Sequence, residues 1–203
     1  MSMSVEQFLS LSDAEQLQTI KDLNDIGQEE IIIDVLTGVG TDNLSVPLLG
    51  ELGRAYNNND KPEEAIKVFK AIDTEHRDAV WYYRCAYSHG SIASTNHEAY
   101  TSENMQQMLA LVDNGVQLAT KEDRNDIKEY CFEVMDMCRL QMDFEKCEVD
   151  YPDLCLNYSK YIAEKKKKRE GVPRQRTITV EEILATDDMW TINEPAYWTI
   201  NIY

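Results

Sequence analysis

Residues 46–72 read VPLLGELGRAYNNNDKPEEAIKVFKAI, and the fold turns on this stretch. Leu49, Leu52 and Tyr56 recur on one face of a helix, while Gly53 and Ala55 keep the surface between them low enough for a second helix to lie close. Asn57-Asn58-Asn59-Asp60 predicts a turn. Asp60 followed by Glu63 has the form of a capping box, and Pro62 falls in a first turn, where its missing N–H costs little. Ala65, Ile66, Phe69 and Ile72 then form the facing stripe. The stretch predicts a helical hairpin with a small residue on one arm opposite a bulky one on the other.

Working outward, Ser12-Asp13-Ala14-Glu15 is an S-x-x-E capping box that starts a helix carrying Leu17, Ile20 and Leu23. Asp25-Ile26-Gly27 stops it, Ile31 to Leu36 supplies a second apolar stretch, and Gly38-Val39-Gly40-Thr41-Asp42 ends that one. On the other side, AVWYYRCAYSHGSI (79–92) predicts another first helix. His97-Glu98-Ala99 could open its partner, but LALVDNGVQLAT (109–120) fits that role better and leaves an insertion of about 15 residues. DRNDIKEYCFEVMDMCRLQ puts Ile127, Cys131, Val134 and Cys138 on one face. A further helix runs from Pro152 through Tyr158, Tyr161 and Ile162 into a lysine run, with Gly171-Val172-Pro173 ending it. Thr177-Ile178-Thr179-Val180 has strand composition, yet Thr179 to Glu182 is also a capping box for a short helix. The phrase Trp-Thr-Ile-Asn occurs at Trp190 and again at Trp198, and its alternation around Glu194-Pro195-Ala196 predicts a β-hairpin.

Leu49, Leu52-Gly53, Tyr56, Ala65 and Phe69 stand at the spacing of the 34-residue tetratricopeptide repeat, and the chain resembles that family. A damaged second copy has Cys85-Ala86 in place of Leu-Gly and its large residue at Trp81 or Tyr82; residues 12–36 fit a worn first copy. In tone, notably in WYYRCAY, the likeness is to bacterial proteins of this class. It implies an all-α fold, a TPR-like α-solenoid of antiparallel helical hairpins over residues 1–163, with the clearest repeat at 46–79. Residues 164–176 are then a basic linker or helix end, and 177–203 a small β-hairpin-like appendage packing on the helical body. The family's use of its concave surface implies a non-catalytic protein–protein interaction module that holds a peptide or protein partner. Carried over by position, the groove residues are Arg54, Asn57 and Asn58, then Tyr83 and Tyr87; the alternative is that these side chains simply pack or face water. Gly50 stands where relatives that clamp a terminal carboxylate carry a lysine or similar polar residue, so that specific activity is not implied.

Composition agrees with a globular chain: 203 residues, 43% hydrophobic and 28% charged, with 8 glycines and 5 prolines, can bury a core without staples. No apolar run approaches the length of a membrane span. MSMSVEQFLS lacks the basic and apolar regions of a signal peptide, and five scattered cysteines read as reduced thiols, so a cytoplasmic location is expected. Residues 165–176 hold seven basic residues and one acidic, which leaves −23 for the remainder of a chain whose net charge is −17. So acidic a body repels nucleic acid and anionic membrane and favours basic partners, unless the charge serves solubility alone.

Candidate chemistry is thin. Cys85 and His89 share a helical face with His97 to follow, but zinc needs three or four ligands and no C-x-x-C occurs. Cys131, Cys138, Cys147 and Cys155 could suggest redox work, although thiols in an apolar stripe are ordinary core. His76 is tied to no nucleophile, and no phosphate loop, nucleophile elbow or H-E-x-x-H appears. No metal, no cofactor and no enzymatic activity are therefore expected. Lys165-Lys166-Lys167-Lys168-Arg169 could be an address or an anion patch; as a helix end it complements the helix dipole without needing a partner. The alternative function is an acidic antitoxin or immunity-type protein neutralising a basic partner, with an enzyme less favoured still. A lone hairpin is marginal in water, so Trp190 and Trp198 are expected to dock, either on the helical body or on a partner, a second copy included.

Overall fold

Local signals start and stop each helix in the computed structural model, which describes residues 3–95 and 102–170. Ahead of α1 (Val5–Leu9), Ser4 and Gln7 cap each other, the Gln7 amide on Ser4 Oγ at 3.2 Å and the Ser4 amide on Gln7 Oε1 at 2.9 Å. At α2 (Asp13–Asp25) the Glu15 carboxylate accepts both the amide and the hydroxyl of Ser12, at 2.9 and 2.6 Å, and these bonds hold its carboxyl below the usual range. α3 (Glu29–Val39) ends where Gly40 turns to φ 89°, a conformation that costs glycine nothing.

α4 (Val46–Asn58) and α5 (Pro62–Lys70) form the predicted pair, with one difference at the turn. Asn57 and Asn58 remain helical, and the reversal falls on Asp60, whose φ of 51° lies in the left-handed region that aspartate tolerates better than most residues. Asp60 is thus spent on the turn. Lys61 takes the N-cap position without a side-chain cap, and its amide donates back to the Tyr56 carbonyl at 2.9 Å.

α6 (Ala79–Thr95) and α7 (Ser102–Lys121) are longer than the sequence reading expected. The stretch assigned to an insertion is helical up to Thr95 and again from Ser102, because Ala93, Met105 and Met108 continue the buried stripes. His97, Glu98 and Ala99 lie outside the described residues. α8 (Asn125–Met137), α9 (Phe144–Asp150) and α10 (Pro152–Glu170) complete the series. α9 went unread because seven residues are too few to display a helical period. Among the described residues no strand occurs. The Trp190–Trp198 hairpin and the 177–203 appendage lie outside them.

Packing divides the chain into one unit of residues 1–163 and another of residues 164–203; of the second, only the helical stretch 164–170 is described. Within the first, α2 with α3, α4 with α5 and α6 with α7 pack as pairs, and α2, α4, α6 and α8 also touch each other in turn. The first helices of the three pairs begin at Asp13, Val46 and Ala79, each 33 residues after the one before. Two clusters make the core: one of mainly branched aliphatic residues around Ile20, Leu36, Leu52 and Phe69, the other of methionines, cysteines and aromatics around Met108, Cys131 and Met135. Where α4 meets α5, Gly53 lies flat against the enclosed Phe69 ring.

A methyl at Gly53 would overlap that ring, and Phe69, fully buried, has nowhere to move. The overlap costs about 1–3 kcal/mol, more than the roughly 1 kcal/mol alanine gains over glycine in a helix. Gly53→Ala is expected to lower the urea midpoint. Gly50→Ala, three residues away, meets only the Arg84 guanidinium at an ordinary 3.6 Å and is expected to raise it.

Candidate functional site

α2, α4 and α6 are held in register by one bond made twice. Asn24, near the end of α2, donates its side-chain amide to the Glu51 carbonyl at 3.2 Å; Asn57, near the end of α4, donates to the Arg84 carbonyl at 3.0 Å. Both asparagines are buried, and donor and acceptor alike have shifted by 33 residues. Ser88 on α6 completes the second copy by donating to Asn57 Oδ1 at 2.7 Å. Asn57, expected in a binding groove, is therefore 8% exposed and committed to internal bonds. The clue in the sequence was the 33-residue interval between Asn24 and Asn57, matched by that between Glu51 and Arg84.

The side chains at those matched positions face each other. The Glu51 carboxylate, 8% exposed, accepts Arg84 Nη2 at 3.0 Å and Asn24 Nδ2 at 2.8 Å, with Arg54 Nη1 3.6 Å away. Arg84 Nη1 also donates to the Gly50 carbonyl at 3.0 Å, and Arg54 pairs with Asp25 at 2.9 Å. A buried carboxylate is tolerated only when its lone pairs are filled in this way. One acid thus joins three helices and aims two guanidiniums along their common face.

On that face lies a groove of about 440 Å³. Its apolar lining is Val46, Pro47, Phe69, Ile72, Val80 and Trp81; its rim carries Lys21, Arg54 and Arg84 against Asp25, Glu51 and Asp78. Trp81 is fixed from every side: its indole N–H donates to the Phe69 carbonyl at 3.0 Å, its amide donates to the Asp78 carboxylate at 2.8 Å, and the Arg77 guanidinium sits 4.4 Å over its ring. Opposite charges balance on this rim, in contrast with the strongly acidic chain as a whole.

Of the residues expected at a site, Arg54 lines the groove. Asn58 is exposed but does not line it, and its side chain reaches Glu29 at 3.4 Å. Tyr83 and Tyr87 are half-buried and come together on α6, their rings 6.5 Å apart, and Tyr83 stacks at 5.3 Å on Tyr130 of α8. Tyr130, like Glu51 and Arg84, was missed by the sequence reading. Trp190 and Trp198 are outside the described residues.

Of the remaining chemical candidates, His76 is exposed and lines the groove, whereas the cysteines and His89 are buried. All five cysteines are free, and burial pushes the thiols up, to about 11 at Cys85 and Cys138 and about 12 at Cys131. Such thiols are poor nucleophiles. His89 is 6% exposed and its Nδ1 has no hydrogen-bond partner; burial, with a smaller effect from Lys70, holds the imidazole below its usual 6.5. Among the described residues no cluster of three metal-ligating side chains forms, and no helix is long and apolar enough to cross a membrane. No protein-family model, curated protein or solved structure matches this chain.

Removing the shared acid leaves Arg84 Nη2 without its partner and takes from the Asn24 amide the shorter of its two bonds, the backbone bonds to Gly50 and residue 51 remaining. Glu51→Ala is expected to cost about 2–4 kcal/mol in urea unfolding, the low side of a fully buried pair because Arg84 keeps 18% exposure. Glu51→Gln, which preserves shape, should lose less.

His89 gives a pH signature of its own. The folded state disfavours its charged form, so its contribution is intact above the unfolded value near 6.5 and is lost as pH falls below it. The urea midpoint is expected to drop between pH 7 and pH 5. In His89→Leu that slope should flatten, whatever the variant's stability at pH 7.

Proposed function

We propose that this chain is a non-catalytic interaction module of tetratricopeptide-like α-solenoid architecture, and that the groove along α2, α4 and α6 holds an extended segment of a partner protein. The observation that carries this reading is the groove itself, an apolar floor from α4, the end of α5 and α6 with a balanced polar rim from residues on or beside α2, α4 and α6, whose starts lie 33 residues apart. Such a surface suits an extended chain: side chains enter the floor, while arginine and carboxylate groups bond its backbone. The repeated asparagine bond supports the repeat reading independently of any motif. Enclosed, high-pKa thiols and a buried neutral His89 favour binding over catalysis. A second reading, an acidic protein that neutralises a basic effector, draws on the net charge of −17. Steep weakening with salt would favour it; a salt-insensitive, groove-dependent contact favours the first.

Pro47 is exposed and lines the groove, so Pro47→Trp fills it with little disturbance to the core. Dodecapeptides selected from a displayed random library on the native protein are expected to lose at least about tenfold in affinity for this variant, as calorimetry reads it, with the urea midpoint nearly unchanged. Selected peptides that bind Pro47→Trp as well as the native protein would sink the groove reading.

A further inference from the structure

Cys147 of α9 and Cys155 of α10 are eight positions apart, a separation that one straight helix would stretch to about 12 Å. The chain breaks between them instead. Pro152 disfavours a helical conformation at the residue before it, and Tyr151 takes φ −138° and ψ 62°. Across that break the Tyr151 amide donates to the Cys147 carbonyl at 2.7 Å, and the Cys155 amide donates to the Tyr151 carbonyl at 3.0 Å. Both cysteine backbones are thus tied to one residue. Their sulfurs meet, Sγ to Sγ at 2.7 Å, on residues 2% and 5% exposed.

Two sulfurs that merely pack stand farther apart than this, and closing to the roughly 2.05 Å of a disulfide takes a small rotation of the side chains with the backbone left in place. The other thiols are placed differently: Cys131 packs against Gly115, Cys138 donates to the Gly90 carbonyl at 3.5 Å, and Cys85 belongs to the other core cluster. Burial raises both members of the pair, and their contact raises Cys147 further while it lowers Cys155, which makes Cys155 the better attacking sulfur. Just beyond the pair, Tyr158 and Tyr161 of α10 lie on Phe132 of α8, and Phe144 of α9 stacks on Tyr158 at 6.2 Å. A bond between the sulfurs would fix α10 against α9 at the root of this aromatic stack.

We infer that Cys147 and Cys155 are a reversible redox pair, converted to an intramolecular disulfide by a low-molecular-weight disulfide and then clamping α10 onto α9. The Cys155 thiolate attacks one sulfur of the oxidant, whose S–S bond breaks and releases a thiolate. Cys147 then gives up its proton and attacks the Cys155 sulfur; the mixed disulfide breaks and releases the second thiolate. The protons of the two cysteines end on the two released thiols, so one protein disulfide forms as one small disulfide is reduced. Excess thiol runs the steps backward. With both sulfurs enclosed, entry of the oxidant requires a local opening of the α9–α10 turn, which makes the pair a slow sensor of redox poise rather than a catalyst. It does not depend on the proposed groove.

Lys146 and Lys160 bracket both cysteines, so trypsin releases them on the single peptide 147–160. The full chain is equilibrated with mixtures of glutathione and glutathione disulfide, both native and in concentrated urea, then acid-quenched, alkylated, digested and weighed. The equilibrium constant for closing the bond between Cys147 and Cys155 is expected to be at least about tenfold larger in the native chain than in urea, with Cys85, Cys131 and Cys138 still alkylated. Linkage makes that factor the gain in the folding equilibrium constant on oxidation, about 1.4 kcal/mol, so the oxidised chain's urea midpoint should rise. In Cys155→Ser the midpoint is expected to be the same in reducing and oxidising buffer. Closure that comes no more easily in the native chain than in urea overturns the inference. So does oxidation that favours any other pair, or a midpoint shift that persists in Cys155→Ser.

Discussion

A buried asparagine amide that donates to a backbone carbonyl on the next first helix is the contact on which the rest of this arrangement depends. Helices packed only through apolar stripes can slide by a fraction of a turn at small cost, because dispersion and burial are weakly directional. The bonds from Asn24 to Glu51 and from Asn57 to Arg84 remove that freedom, since each carbonyl can be reached at only one register. Leaving a buried amide unmet costs about 1–3 kcal/mol, so a slipped register is penalised at both seams. With α2, α4 and α6 so fixed, Glu51 and Arg84 fall opposite one another and the groove acquires its rim.

The same bond separates what was legible in the sequence from what was not. Apolar period and turn chemistry are local signals, and Leu49, Leu52, Gly53, Ala65 and Phe69 were read correctly as two facing stripes because each helix carries its own pattern. Seams between successive pairs depend on residues 27 to 33 positions apart, which no local window joins. Asn57 illustrates the difference: its type suits a turn or a groove, and only the position of α6 reveals that its side chain has both partners inside. Asp60 illustrates another, as one residue type serves a cap or a left-handed turn, and chain reversal decided for the turn. Arg54, Tyr83 and Tyr87 were reachable through a family resemblance, whereas Tyr130 required knowing that α8 follows α6 on the same face.

Charge is distributed to the same end. Most of the acidity belongs to exposed positions of a chain at −17, yet the groove rim sets three cations against three carboxylates. Balanced rims bind through oriented hydrogen bonds and are less sensitive to salt than a bare field, while the surrounding acidity governs which partners approach at all. Under the proposed binding role, long-range selection and short-range grip would fall to different residues.

The later helices solve the packing problem of α4 and α5 with other residues. At α4 and α5 a glycine admits an aromatic ring. At α6 and α8 the glycine is Gly90, and Val134, Met137 and Cys138 close over it; on α7 it is Gly115, against Cys131 of α8 and Tyr82 of α6. Small still opposes large, but the large partner has become sulfur and methyl rather than a ring. Thioethers and thiols are soft and adapt to irregular gaps, so this half of the core accommodates longer helices without a fixed spacing between its small and bulky residues. A motif written in particular letters disappears under that exchange, while the constraint it encoded, close approach at a glycine, persists.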